Sequence, residues 1–172
     1  WSKEEIIMFG SLKEKLGLGK KKGEVLGAPV EGEAVELSKV SDPTFGEEIL
    51  GKGVAILPSV GKVVAPIDGT IAMVFDTKHA LSMTSDSGIE ILIHIGLDTV
   101  TLKGEPFTAH AAAGDKVKAG DLLLEFDIEA IKAAGLDTIV PMVICNTPDY
   151  SEIQASAGKN VKLLDEVLTV TK

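Results

Sequence analysis

The chain is poor in cysteine, in aromatic residues and in positive charge. Its 172 residues include one cysteine, Cys145. A single thiol cannot close an internal disulfide, and it lacks the spaced companions of a structural zinc site. A reducing, cytoplasmic compartment suits such a chain. Cys145 ends an apolar run over residues 139–145 and reads as a buried, inert thiol. Aromatics make up 4% of residues against 45% hydrophobic overall, so the core must be aliphatic. Lysine plus arginine number 17 against 26 acidic residues, a net charge of −9. That balance argues against a nucleic-acid binder, which needs a basic face, and is compatible with a basic protein partner. No stretch approaches the roughly 20 apolar residues of a membrane-spanning helix, and no secretory signal is visible. The length suits one domain with a substantial core.

Residues 1–23 differ from the rest. Ile6, Phe9, Leu12 and Leu16 follow helical steps, with Lys13, Lys15 and Lys20 to Lys22 supplying positive charge. Glycines at positions 10, 17, 19 and 23 weaken and then stop a helix. Either an amphipathic leader followed by a flexible link, able to make weak contact with an anionic membrane surface, or an interdomain linker is expected here. Met8 is a candidate natural start, with the residues before it left from a preceding segment.

Residues 24–172 read as β structure. Short apolar runs alternate with glycine, proline and aspartate, as over 53–57, 62–65, 70–75, 89–95, 122–126 and 139–145. Two segments read as helical, 43–50 and 127–134, the second with Asp127 as N-cap and Gly135 as stop. Two echoes suggest duplication. Ala28-Pro29-Val30-Glu31-Gly32 recurs as Ala65-Pro66-Ile67-Asp68-Gly69, and the turn-strand text at 114–121 is answered more weakly at 158–165. In each echo the glycine is expected to permit a tight turn. An antiparallel β-sandwich, barrel-like and internally duplicated, buries so many short strands.

Two of the three histidines, His79 and His94, flank the turn signal Ser85-Asp86-Ser87-Gly88. With Asp86 and Ser87 as the central residues of a hairpin, the two histidines face each other directly. Opposed Cβ atoms lie roughly 4.5–5.5 Å apart. A change of one residue in loop length would make them diagonal. Ile89, Ile91, Ile93 and Ile95 alternate with Glu90, Leu92, His94 and Gly96, so the isoleucines mark the core and His94 the other face. Phe75, Thr77, Leu81 and Met83 are expected on that same outer face. Two imidazoles in an apolar collar suit phosphoryl chemistry. One neutral ring can attack phosphorus while the other stabilises the transferring oxygens. Thr77 could orient a ring, and the backbone at Gly96 could approach closely. His110 has no such support and is assigned no function.

Taken together, these residues resemble the glucose-family enzyme IIA domain of the bacterial phosphoenolpyruvate-dependent sugar phosphotransferase system. The likeness rests on Thr77-Lys78-His79-Ala80 and on His94-Ile95-Gly96-Leu97-Asp98-Thr99-Val100. It extends through Asp42-Pro43-Thr44-Phe45, Val64-Ala65-Pro66-Ile67-Asp68-Gly69-Thr70 and Pro141-Met142-Val143-Ile144-Cys145-Asn146. The resemblance implies a domain over residues 24–172 that carries phosphate covalently on His94. The donor would be the phosphohistidine of the small carrier HPr, and the acceptor a cysteine of an enzyme IIB domain. It implies that His79 stabilises the phosphoryl group and is needed for onward transfer. Thr77 would support the pair, the Gly96 backbone would fix the His94 ring, and Asp98 would lie at the edge. The docking collar maps to Phe45, Ile49, Leu50, Phe75, Leu92 and Val100. Pro43 and Thr44 stand where relatives often carry larger apolar residues, which makes that side more polar. No cofactor is implied; zinc at His79 and His94 would need a ligand from a partner.

The resemblance also leaves open a regulatory binding module, with regulatory targets bound on the same histidine face; two other classes fit less well. A zinc peptidase of similar architecture needs a third ligand and an His-x-His pair, which the chain lacks. A swinging-arm carrier needs a lysine at a hairpin tip, and the tip at 85–88 has none.

Overall fold

Aliphatic runs of three to seven residues, broken by glycine and proline, are too short for buried helices and fold as strands. The computed structural model describes residues 23–172. The leader, its membrane contact and the start at Met8 thus lie outside the described residues. The strands are β1 (Glu24–Gly27), β2 (Gly32–Glu36), β3 (Lys52–Pro58), β4 (Lys62–Val64), β5 (Gly69–Val74), β6 (Ala80–Ser85) and β7 (Glu90–His94). They continue as β8 (Phe107–Ala109), β9 (Lys116–Val117), β10 (Leu122–Phe126), β11 (Val140–Ile144), β12 (Glu152–Ala155), β13 (Lys159–Val161) and β14 (Glu166–Thr171).

Two short α-helices join them, α1 (Pro43–Gly46) and α2 (Ile128–Ala133). Asp42 caps α1 by accepting from the Thr44 N–H, and Asp127 caps α2 by accepting from Ala130. The first helix is shorter than the run 43–50 suggests. Glu48 takes a left-handed φ of 60°, which ends the turn and throws Ile49 and Leu50 outward.

Every strand pairing is antiparallel. One sheet has eight strands in the order β13-β2-β3-β11-β7-β6-β5-β9, and two have three, β1-β14-β12 and β4-β10-β8. No sheet closes into a barrel among the described residues. The main core fills the space between the large sheet and the two small ones. Ile56, Ile71, Leu81, Ile91, Ile93 and Ile144 meet Leu26, Leu123, Leu124 and Leu168 there. On the outer face of the large sheet a second cluster joins Ala55 and Val143 to Leu37, Val40, Phe45, Leu97 and Ile139.

The duplication is visible in both strand order and hydrogen bonds. Along the large sheet, β13, β2, β3 and β11 are answered by β9, β5, β6 and β7. Gly27 N–H donates to the Pro66 carbonyl, and Val64 N–H donates to that of Pro29, so the two echoes bind each other. Ala28 exchanges bonds with Leu164 and Asp165 as Ala65 does with Gly120 and Asp121. In the second echo the glycines take left-handed φ, 94° at Gly114 and 84° at Gly158, in the bends before β9 and β13 as expected. In the first echo Gly32 and Gly69 serve close approach and not a turn. A Cβ on Gly32 would lie 2.0 Å from the Leu57 carbonyl oxygen, and one on Gly69 would lie 2.3 Å from that of Thr84.

The β6–β7 hairpin differs from the expected register by one residue. Ser85 N–H donates to the Ile89 carbonyl, so the loop holds three residues, Asp86, Ser87 and Gly88, with Gly88 at φ 103°. Ala80 therefore faces His94, Leu81 faces Ile93 and Met83 faces Ile91. A shift of one residue moves a strand's side chains to the opposite face. Leu81 and Met83 accordingly belong to the core, 0% and 1% exposed, and not to the outer collar. Ser82 pairs with Leu92 on the outer face instead. Replacing Leu81 by Ala should cost about 2–5 kcal/mol in denaturant unfolding, and Ser82→Ala less than about 0.5 kcal/mol. The reverse ranking would restore the two-residue loop.

Candidate functional site

The site stands where β7 ends against the turn between β5 and β6. His94 is the last residue of β7 and lies on the outer face beside Leu92. All four isoleucines of that stretch are at most 1% exposed, so the strand's alternation leaves His94 half-buried at the surface. His79 lies in the turn just before β6, after Lys78 at a left-handed φ of 60°. Its carbonyl accepts the Ile95 N–H, so its backbone pairs with Ile95 and not with His94. The two histidines are thus neighbours along the hairpin and not directly opposed. Their rings still meet, with centroids 5.0 Å apart and planes at 81°.

Each ring has one nitrogen engaged. His94 Nδ1 lies 2.7 Å from the Gly96 carbonyl oxygen. A carbonyl can only accept, so Nδ1 carries the proton and the lone pair of the neutral ring sits on Nε2. His79 Nδ1 lies 2.6 Å from the Thr77 hydroxyl. Nε2 is therefore the nitrogen left for chemistry on both rings.

Burial pushes His79 below the ordinary imidazole range. It does the same to His94; the Gly96 bond pulls the other way, His79 adds to the lowering, and the Asp42 and Asp98 carboxylates oppose it. Asp42 is thus an electrostatic neighbour of the pair as well as the cap of α1. The sequence places it only in the motif Asp42-Pro43-Thr44-Phe45 and gives it no role there.

The collar divides into exposed and buried parts. Ile49 is 68% exposed and Val100 49%, with Leu50 also open to solvent. Phe75 is half-buried and meets His79 edge-on at 5.3 Å between centroids. Leu92 is half-buried against the second cluster. Phe45 departs from the expected docking role. It is 4% exposed and packs under His94 at 5.1 Å, so it supports the ring and offers no surface to a visitor. Met73, which the alternation did not mark, is exposed on the same outer face and pairs through Ser82 with Leu92. A bulge between Ile71 and Met73 puts it there, and nothing in the run 70–75 announces a bulge.

Asp98 is exposed at the rim with φ 60°. His110 is remote in role, paired with Glu125 at 2.8 Å. Cys145 lies just past β11 and is exposed, contrary to the buried reading, because the strand stops at Ile144. Partial burial and the nearby Glu90 raise its pKa, so the thiol stays protonated at neutral pH. Among the described residues no third His, Cys, Asp or Glu joins the histidine pair as a metal donor, and no helix is long and apolar enough to cross a membrane.

Residues 24–150 match the family described as phosphoenolpyruvate-dependent sugar phosphotransferase system, EIIA 1. The chain belongs to that family. The role of phosphoryl carrier in the phosphotransferase system goes with this membership. The PTS system beta-glucoside-specific EIIBCA component of Bacillus subtilis (strain 168) is 53% identical over 128 residues, which cover 74% of this chain and 21% of that protein. The PTS system glucose-specific EIIA component of Bacillus anthracis is 44% identical over 161 residues, covering 92% of this chain and 98% of that protein. The chain therefore spans about a fifth of the beta-glucoside relative and nearly all of the glucose relative. Among solved structures, glucose permease IIA from Mycoplasma capricolum superposes with a TM-score of 0.80 at 34% identity, covering 86% of this chain and 96% of that one.

Both rings are depressed in pKa, so both should stay neutral below the pH at which free imidazole charges. Ring titration by NMR should give midpoints below about 6.5 for His79 and His94. Midpoints at or above that value would contradict the burial described. The stability consequence has a definite sign. The unfolded chain binds more protons than the folded one between the depressed values and about 6.5, so stability rises with pH across that window. His94→Gln should flatten part of the rise.

Proposed function

We propose that His94 Nε2 takes a phosphoryl group from the phosphohistidine of HPr and gives it to a cysteine of an enzyme IIB domain. The observation that carries this reading is the Nδ1 bond of His94 to the Gly96 carbonyl beside the His79 ring. A neutral imidazole protonated on Nδ1 is a nucleophile at Nε2 without first losing a proton. The Nε2 lone pair attacks phosphorus; the new N–P bond forms as the donor's N–P bond breaks, and that electron pair returns to the donor ring. In the second step the IIB thiolate attacks phosphorus, and the pair of the breaking bond returns to His94 Nε2.

His79 assists by hydrogen bonding. If Thr77 donates its hydroxyl proton to Nδ1, the neutral His79 ring carries a proton on Nε2 and can donate it to a phosphoryl oxygen. The chain contains no arginine, so no guanidinium of its own can share that task. Asp98 and Asp42 favour a partner with a basic rim, and Ile49, Leu50 and Val100 supply apolar contact around it. No resident metal is needed; zinc between the two histidines would require a ligand from a partner. The whole protein would serve sugar uptake and phosphorylation.

Incubation with phosphoenolpyruvate, enzyme I and HPr should place one acid-labile, alkali-stable phosphate on each chain. His94→Gln should abolish it. His79→Gln should still accept phosphate and fail to pass it to enzyme IIB. Normal labelling of His94→Gln would overturn the assignment. Ile49→Asp should raise the KM for phospho-HPr by about tenfold, some 1.4 kcal/mol of docking energy, with ring titrations unchanged. An unaltered KM would remove Ile49 from the docking surface.

A further inference from the structure

His94 is useful as a nucleophile only while the Gly96 carbonyl points at its Nδ1. Two successive peptide planes set that direction, and each is held at both ends. In the first plane, the Ile95 carbonyl accepts from the Thr99 hydroxyl, and the Gly96 N–H donates to the Ile139 carbonyl. In the second, the Gly96 carbonyl accepts from His94, and the Leu97 N–H donates to the Asp137 carbonyl. The acceptors at 137 and 139 belong to one turn, closed by the Asp137 carboxylate accepting the Ile139 N–H at 3.0 Å.

The same residues crowd Gly96 from the sides. It sits at φ 73°, and a Cβ there would lie 2.6 Å from Thr99 Cγ2 and 2.7 Å from the Asp137 carbonyl oxygen. Thr99 is fully buried, and its hydroxyl is spent on backbone. Asp137 is exposed, yet its side chain turns back on its own loop.

We propose that Thr99 and Asp137 are positioning residues that lock His94 in the tautomer protonated on Nδ1. Neither touches the imidazole. Thr99 holds the peptide before Gly96, and Asp137 shapes the turn that holds the peptide after it. Loosening either lets the Gly96 carbonyl swing away, and the ring proton then redistributes between Nδ1 and Nε2. A ring protonated on Nε2 has no lone pair on that nitrogen with which to attack phosphorus. The apparent rate of phosphoryl acceptance then falls in proportion to the competent fraction. This deepens the carrier reading of His94 and rests on it for the rate, but not for the tautomer.

The test is long-range proton–nitrogen NMR of the His94 ring in the full chain, at a pH well above its titration midpoint. The native ring should show one tautomer, protonated on Nδ1. Thr99→Val and Asp137→Ala should each give a mixed pattern, with a parallel loss in the rate of phosphorylation by phospho-HPr. Thr99→Ser keeps the hydroxyl and Asp137→Asn keeps the side-chain acceptor, so both should restore the native pattern. Should Thr99→Val fail to fold, the exposed site Asp137 decides the matter alone. An unchanged tautomer in Asp137→Ala and in folded Thr99→Val overturns the proposal, even if labelling on His94 is normal. Absence of phosphate on His94 in the native chain would instead overturn the carrier reading and leave the tautomer result standing.

Discussion

The bond from His94 Nδ1 to the Gly96 carbonyl is short, 2.7 Å, and it leaves one nitrogen of the ring free on an open face. Much of the surrounding structure keeps that bond in place. The isoleucine face of β7 anchors the strand in the core, so His94 cannot rotate inward. Phe45 packs beneath the ring, and His79 stands edge-on beside it. A histidine held this way loses little conformational freedom when a partner arrives, which is the advantage of preorganisation. Burial lowers the ring's basicity, so the neutral form that the proposed attack requires is the form the fold already favours.

Two related halves build the scaffold, but only one of them carries the histidines. The facing pair Ala80–His94 of one half corresponds by position in the sheet to Gly53–Val143 of the other. Val143 is fully buried under the second cluster. What separates the halves is the connection between their first two long strands. Between β5 and β6 it is a tight turn that carries Thr77 and His79. Between β2 and β3 it is a longer excursion containing a 3-10 turn at Leu37–Lys39 and helix α1. That excursion covers Val143, delivers Phe45 to the underside of His94, and leaves Ile49 and Leu50 exposed at the rim.

The fold was legible wherever alternation was strict. Ile89, Ile91, Ile93 and Ile95 place one face in the core without help from any other strand. The echoes at 28–32 and 65–69 showed the duplication, because the two copies bind each other through backbone atoms. The register of the hairpin was not legible, since Ser85-Asp86-Ser87-Gly88 suits a two-residue loop as well as a three-residue loop with a left-handed glycine. The choice between them is made by contacts outside the turn. Asn146 accepts the Glu90 N–H and donates to the Gly88 carbonyl, and it lies more than fifty residues away. Exposure at a strand end was hidden for a related reason: Cys145 continues an apolar run but stands one residue past the ladder. Phe45 shows the same limit, because an aromatic residue near a site can be wall or doorway, and only packing decides.

The long excursion between β2 and β3 has no counterpart in the other half, and the main core does not pass through it. Its exposed residues can therefore change with little disturbance to the double-sided packing of the sheet. On the proposed docking role, selection for a new partner would act on this segment as on a replaceable faceplate, while the histidines behind it kept one geometry for every customer.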